Sequence, residues 1–241
     1  LIKITRVTMY SRSRILILIS VALLIAISAC GRAEQNDTDQ EESGITPVSV
    51  FENDYAQVMK VTLEPGEQLV SHEAESRLVY PLSDYTLAWT EEGNEAETRM
   101  WRRSETHIHE AGFHSAVNTG STVAEWIAFI RKTDDLPPCE EQSLESDVNL
   151  IDSEHTEIKF ESDDFRITEV MLPVGEELPM HDGVNRIIYS LSDYTVLYAS
   201  TVEGTMEKSF TAGDVHWHGG CRHALDNIGD TTAHYLVIAY K

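Results

Sequence analysis

Histidine is the residue type whose placement in this chain first suggests chemistry. Of ten histidines, eight fall into pairs separated by a constant offset of about 109 residues: His72 with His181, His107 with His216, His109 with His218, and His114 with His223. Clustered neutral imidazoles suit Zn, Cu, Ni or Fe(II). A divalent transition metal as cofactor and metal-free structural histidines are therefore both open readings. Arg77 and Arg186 recur at the same offset. An interior arginine can hold a substrate carboxylate through two parallel N–H bonds; its commoner use is as a rim residue paired with Asp or Glu. Trp101, Trp126 and Trp217 could line a ligand pocket or simply form core. Cys221, two residues before His223, offers a thiolate, but Gly112 stands at the matching place in the other half.

The offset belongs to more than the histidines. Sliding the chain by about 109 residues aligns 51–132 with 160–241 without a gap, at about 24 identities over about 82 positions. Duplication of one domain accounts for this. The expected organisation is a leader at 1–29, an acidic tether at 30–48, repeat 1 at 49–132, a linker at 133–156 and repeat 2 at 157–241. The linker carries Asp134-Asp135, Pro137-Pro138 and a run of acids and serines, the composition of a domain connection.

The elements that must position these side chains are strands. Apolar residues alternate with a period near two in Arg186-Ile-Ile-Tyr-Ser and Tyr194-Thr-Val-Leu-Tyr. The runs are short, rich in Val, Ile, Thr and Tyr, and punctuated by Pro65-Gly66, Ser83-Asp84, Gly204 and Gly229-Asp230. No convincing helical stretch follows Cys30, and several short strands per copy predict an all-β sandwich or jelly-roll barrel.

Two segments of each copy resemble the motifs of the cupin superfamily. Gly66 to His72 and Gly175 to His181 match the opening of the first cupin motif, Gly, five residues, His. Gly213 through His223 and Asn227 to Gly229 match the second; His114, Asn118 and Gly120 hold the same register in copy one. The resemblance implies two tandem jelly-roll barrels, a bicupin, and places the His107-Ile108-His109 and His216-Trp217-His218 segments on a barrel strand. It also implies a metal site of two histidines one residue apart, a glutamate and a third histidine. This chain departs from that set, with Ala74 and Gly183 two residues after His72 and His181 and no glutamate at family spacing in copy two. Residues two apart on a strand share a face. If that face is the interior, each copy gathers a substitute set: His72, His107, His109 and His114, or His181, His216, His218 and His223.

The start of the chain reads as export machinery. Arg12 and Arg14 precede an apolar run from Ile15 to Ala29 that ends at Ala29-Cys30-Gly31, the pattern of a signal peptide; about 15 residues is too short to span a bilayer as a helix. Ile27-Ser28-Ala29-Cys30 resembles a lipobox, which makes Cys30 the lipidated residue and the only membrane contact, on the periplasmic side of a bacterial envelope. Gly31 after it favours the outer over the inner membrane. Formal net charge is −23, so nucleic acid is a poor partner and a small molecule is the expected one. Cys139 and Cys221 leave a disulfide or two thiols open, and oligomeric state is not legible.

Three functions are compatible with these residues. The leading one is a binding or sensing module that holds a small molecule, a metal or both without turnover. A metal-dependent enzyme of dioxygenase or isomerase type, with a His-only site and an open coordination position, is the second. The third is a structural platform whose barrels are filled by their own side chains.

Overall fold

The computed structural model describes residues 44–91, 93–138 and 146–241. Cys30, the leader, most of the tether and Cys139 lie outside the described residues. Copy one forms β1 (Val48–Glu52), β2 (Ala56–Leu63), β3 (Gln68–Ala74), β4 (Arg77–Pro81), β5 (Tyr85–Glu91), β6 (Glu97–Trp101), β7 (His107–His109), β8 (Gly112–Asn118) and β9 (Ala124–Arg131). Copy two repeats the series as β10 (Thr156–Glu161), β11 (Phe165–Leu172), β12 (Glu177–Gly183), β13 (Arg186–Ser190), β14 (Tyr194–Ser200), β15 (Gly204–Phe210), β16 (Val215–His218), β17 (Cys221–Asn227) and β18 (Ala233–Tyr240).

Each copy is a barrel of two antiparallel sheets. In copy one the orders are β1-β2-β9-β4-β7 and β3-β8-β5-β6; in copy two they are β10-β11-β18-β13-β16 and β12-β17-β14-β15. The five-stranded sheets of the two copies pack on each other. Ala56, Val58, Leu78, Tyr80, Ile127 and Phe129 meet Phe165, Ile167, Ile187, Tyr189, Leu236, Ile238 and Tyr240 in one apolar core. This explains why β4 and β13 are buried at every residue. Leu78, Tyr80, Ile187 and Tyr189 face the other barrel, while the alternate positions, Arg77 and Arg186 among them, face their own interiors.

The repeated motif residues outside the histidines knit the barrels together. Gly66 and Gly175 have φ of 87° and 81°, in the left-handed region that only glycine enters without strain, and their N–H groups donate to the carbonyls of Asn118 and Asn227. Asn118 Nδ2 donates to the carbonyls of Leu63 and Thr122 at 2.9 and 2.8 Å. Asn227 does the same to Leu172 and Thr231 at 2.8 and 2.9 Å. The retained Ser-Asp-Tyr-Thr segments also work on the backbone: Ser83 Oγ donates to Val123 O and accepts from Glu125 N, as Ser192 does with Thr232 and His234.

The 133–156 stretch is more than a connector. It contains a short helix, α1 (Val148–Ile151), capped by the Asp147 carboxylate. Val148 is buried against Val170 and Leu178, and Asp147 pairs with Arg166 at 3.0 Å. This segment forms part of the wall of the second barrel.

Candidate functional site

Each barrel encloses a cavity, about 190 Å³ in the first and about 110 Å³ in the second. The walls are built from matching positions. Leu69, Val79, Tyr85, Leu87, Trp89, Trp101 and Trp126 line the first; Leu178, Ile188, Tyr194, Val196, Tyr198, Phe210 and Tyr235 line the second. All eight paired histidines and both paired arginines lie on these walls.

Strand register fixes the polar groups. His72 lies opposite His114 on β3 and β8, and His181 opposite His223 on β12 and β17; their ring centroids are 4.3 and 4.1 Å apart. On the other sheet, Arg77 lies opposite His109 and Val79 opposite His107, while Arg186 lies opposite His218 and Ile188 opposite His216. Both arginines reach across the lumen to the facing sheet. Arg77 Nη2 is 2.7 Å from His114 Nε2 and Arg186 Nη2 is 3.0 Å from His223 Nε2. Further donors go to backbone carbonyls, Glu75 O from Arg77, and Val184 O and Gly219 O from Arg186, which also hydrogen-bonds the Tyr198 side chain. Arg77 is 6% and Arg186 4% exposed, and among the described residues neither has a carboxylate within ion-pair distance.

No protein-family profile matches the sequence, and no curated protein matches it. Solved structures match the fold. AerE from Microcystis aeruginosa superposes with a TM-score of 0.57 at 17% identity, covering 81% of this chain and 97% of that one. Oxalate decarboxylase from Bacillus subtilis, in a structure described for its Mn(II) centres, gives 0.55 at 14% identity, covering 80% and 71%. A cupin 2 conserved barrel domain protein from Leptotrichia buccalis gives 0.47 at 13% identity, covering 81% and 88%. The chain has a tandem cupin-like double-barrel fold. At these identities the likeness concerns architecture, and activity has to be argued from the site.

The chain's own side chains decide the metal question. Among the described residues, no three His, Cys, Asp or Glu side chains converge as a metal-holding group. The four-imidazole sets expected from the sequence line the lumens, but their rings do not converge as one metal-holding group. In the first barrel His107 and His109 hydrogen-bond each other through their Nε2 atoms at 2.9 Å, and Trp89 packs on both His109 and His114 at 4.4 Å. Of the four motif histidines, His114 and His223 are engaged as well, whereas His72 and His181 donate from Nδ1 to the carbonyls of Val70 and Pro179. His223 Nδ1 donates to Cys221 O at 3.1 Å, which leaves Nε2 as the acceptor that Arg186 uses; His114, bonded to the Gly112 backbone, serves Arg77 in the same way. The lone pair a metal would need is therefore engaged by a cation. A Cβ at Gly183, where the family's second histidine would stand, would lie 2.5 Å from Arg186 Nη1 and 2.7 Å from His223 Cε1. The guanidinium fills the space left by the missing ligand, and the residues present do not fit a cupin metal.

Burial keeps the imidazoles neutral. Desolvation, then the facing arginines and neighbouring rings, lowers His109 and His114 to about 3. Burial lowers His181 and His216 to about 4 and, with Arg186 next in effect, His218 to about 2. His223 is driven well below its ordinary value and His107 is lowered, again chiefly by burial. Arg77 falls to about 10 through burial, which leaves it cationic at neutral pH, and burial also lowers Arg186.

Trp217, expected to contact substrate, does not line either cavity. It stacks on Tyr55 at 5.4 Å and packs on Tyr240 at 5.6 Å, outside the second lumen and against the inter-barrel core. The alternation that turns His216 and His218 inward turns Trp217 outward. Residues not singled out from the sequence, Trp89, Tyr198, Phe210 and Lys208, do line the lumens; position 89 matches 198 under the repeat offset, which was the available signal.

Proposed function

We propose that this bicupin is a binding protein for small organic acids, with one carboxylate seated on Arg77 in the first lumen and one on Arg186 in the second, without turnover. One observation carries the reading: each lumen holds a buried guanidinium hydrogen-bonded only to neutral acceptors. An unpaired buried cation costs several kcal/mol. A carboxylate gripped by the guanidinium fork offsets that cost. The cavities of about 110 and 190 Å³ suit a ligand of a few heavy atoms with an apolar body. They also argue against sealed barrels serving as a platform. The proposed address is the bacterial envelope, with Cys30 as the lipid-bearing residue and the barrels facing the periplasm.

The test is calorimetric titration of the chain from Arg32 onward with a panel of small carboxylates, amines and sugars. Carboxylates are expected to bind, with two sites in the parent, one in Arg77→Gln or Arg186→Gln, and none in the double variant. Binding that survives the double variant, or no carboxylate binding in the folded parent, would overturn the proposal.

A further inference from the structure

Both lumens hold a second polar feature beside the guanidinium. His181 Nδ1 lies 2.7 Å from the carbonyl of Pro179 on β12, and its counterpart His72 Nδ1 lies 2.9 Å from the carbonyl of Val70 on β3. A carbonyl can only accept. Each ring in its neutral form therefore carries its proton on Nδ1 and presents a bare lone pair at Nε2. The residue that supplies the carbonyl differs between the copies, valine in one and proline in the other, while the bond is the same. Burial lowers His181 to about 4, so at neutral pH this ring remains an acceptor.

The lone pair of His181 opens onto the cavity. The residue is 4% exposed and lines the second lumen. With Nδ1 turned to its own strand, Nε2 is directed away from that strand. Nothing among the described residues bonds it, yet it is not one of the sealed, unpartnered atoms, which in this wall include His216 Nδ1. One ring sets its place relative to the cation. The centroids of His181 and His223 are 4.1 Å apart, and Nε2 of His223 is 3.0 Å from Arg186 Nη2. His72, His114 and Arg77 repeat the arrangement with 4.3 and 2.7 Å. A cationic donor and a neutral acceptor thus stand an imidazole's width apart in each lumen.

We infer that each lumen selects a hydroxy acid with its hydroxyl on the carbon next to the carboxylate, and that this hydroxyl donates to His181 Nε2 in the second lumen and to His72 Nε2 in the first. The inference rests on the reading that Arg186 and Arg77 seat carboxylates, and it adds the group that discriminates among them. A plain carboxylate would cover the lone pair without giving it a donor, which costs the desolvation of that nitrogen. A hydroxyl on the adjacent carbon meets the ring while the carboxylate stays on the guanidinium fork. An ammonium would donate as well, but Arg186 and Lys208 already line the second lumen. The carboxylates in its wall, Asp147 and Asp182, are paired with Arg166 and Arg222 at 3.0 and 3.2 Å. Leu178, Ile188, Val196 and Phe210 complete an apolar lining for the hydrocarbon remainder of the ligand.

The test is calorimetric titration of the chain from Arg32 onward with lactate and 2-hydroxyisovalerate against propionate and isovalerate, which lack only the hydroxyl. The methyl ether of lactate serves as an analogue without a donor, and L-alanine as the ammonium analogue. The hydroxy acids are expected to bind at least about threefold more tightly than the acids without a hydroxyl, the worth of one net hydrogen bond. The ether and L-alanine are expected to bind no tighter than propionate. Arg77→Gln isolates the second lumen and Arg186→Gln the first; His181→Leu in the former and His72→Leu in the latter should bring the hydroxyl preference to about one. Equal or tighter parent binding of propionate, isovalerate or the ether would overturn the inference and leave the carboxylate reading standing. Tighter binding of L-alanine than of lactate, or a hydroxyl preference that survives the leucine substitutions, would do the same. The parent comparison needs no substitution, so a variant that fails to fold leaves the test decisive. If no acid binds the parent, the carboxylate reading falls and takes the inference with it.

Discussion

Acidification offers a sharp test of the neutral, buried imidazoles. His114 and His181 are 5% and 4% exposed, and burial holds them near 3 and 4, below the ordinary imidazole value of about 6.5. Because the folded values lie below the unfolded one, the unfolded chain binds more protons below pH 6.5. The stabilisation is complete above that pH and is lost as pH falls towards the folded values. Going from pH 7 to pH 5, each of these histidines should remove about 1.8 kcal/mol. For a unit of this size the pair corresponds to a fall in Tm of about 7–14 °C. His223, driven low by the same burial, adds in the same direction. The assay is thermal unfolding by circular dichroism at pH 7, 6 and 5, comparing the parent with His181→Gln, whose Tm should fall by about 4–7 °C less than the parent's, the share of one ring. Surface carboxylates titrate alike in both proteins, so the difference in slope isolates the ring. Identical slopes, or a parent more stable at pH 5, would refute the argument that this histidine is buried neutral.

Other outcomes follow from the same contacts. Gly183→Ser should push on Arg186 and His223, reduce calorimetric carboxylate affinity in the second lumen by about tenfold or more, and cost about 1–3 kcal/mol of stability. Asn227→Ala strands the carbonyls of Leu172 and Thr231 and should cost about 2–3 kcal/mol in denaturant unfolding. Phe129→Ala should cost about 3–5 kcal/mol and, because Phe129 belongs to the core shared by both barrels, should lower a single calorimetric transition rather than split it in two. Incubation with Zn, Cu, Ni or Mn should raise Tm less than a bound organic acid does, since the lone pairs of His114 and His223 are already engaged by guanidinium.

Much of the architecture was legible because duplication and alternation act on backbone geometry, which one residue change seldom alters. The repeat, the strand periods and the glycine and asparagine of the two motifs correspond to turns and hydrogen bonds found in both barrels. That the two histidines of His107-Ile-His109 and of His216-Trp-His218 share a face followed from period two, with the interior left as a condition, and the same rule, applied one residue further, would have put Trp217 on the opposite face. What the sequence did not yield was the bonding inside the lumen. Spacing tells which side chains share a face but not which atom takes a lone pair. The histidines and the arginines were read as separate candidates, whereas each arginine is bonded to a motif histidine across the barrel. In the second barrel a Cβ at Gly183 would crowd the guanidinium, whereas in the first the matching Ala74 stands beside the same arginine–histidine bond.

The shared core has a consequence for how such a chain arose. Leu78, Tyr80, Ile127 and Phe129 are all less than 2% exposed only because the second copy covers them. A single-copy ancestor with this face would have been stable as a homodimer, with two identical lumens back to back. Fusion replaced a concentration-dependent partner with one held permanently at high effective concentration. It also released the two copies from identity. In a homodimer any substitution in one lumen appears in both, so a tryptophan at position 89 of one lumen and a tyrosine at the matching position 198 of the other became possible only after the two halves were encoded separately.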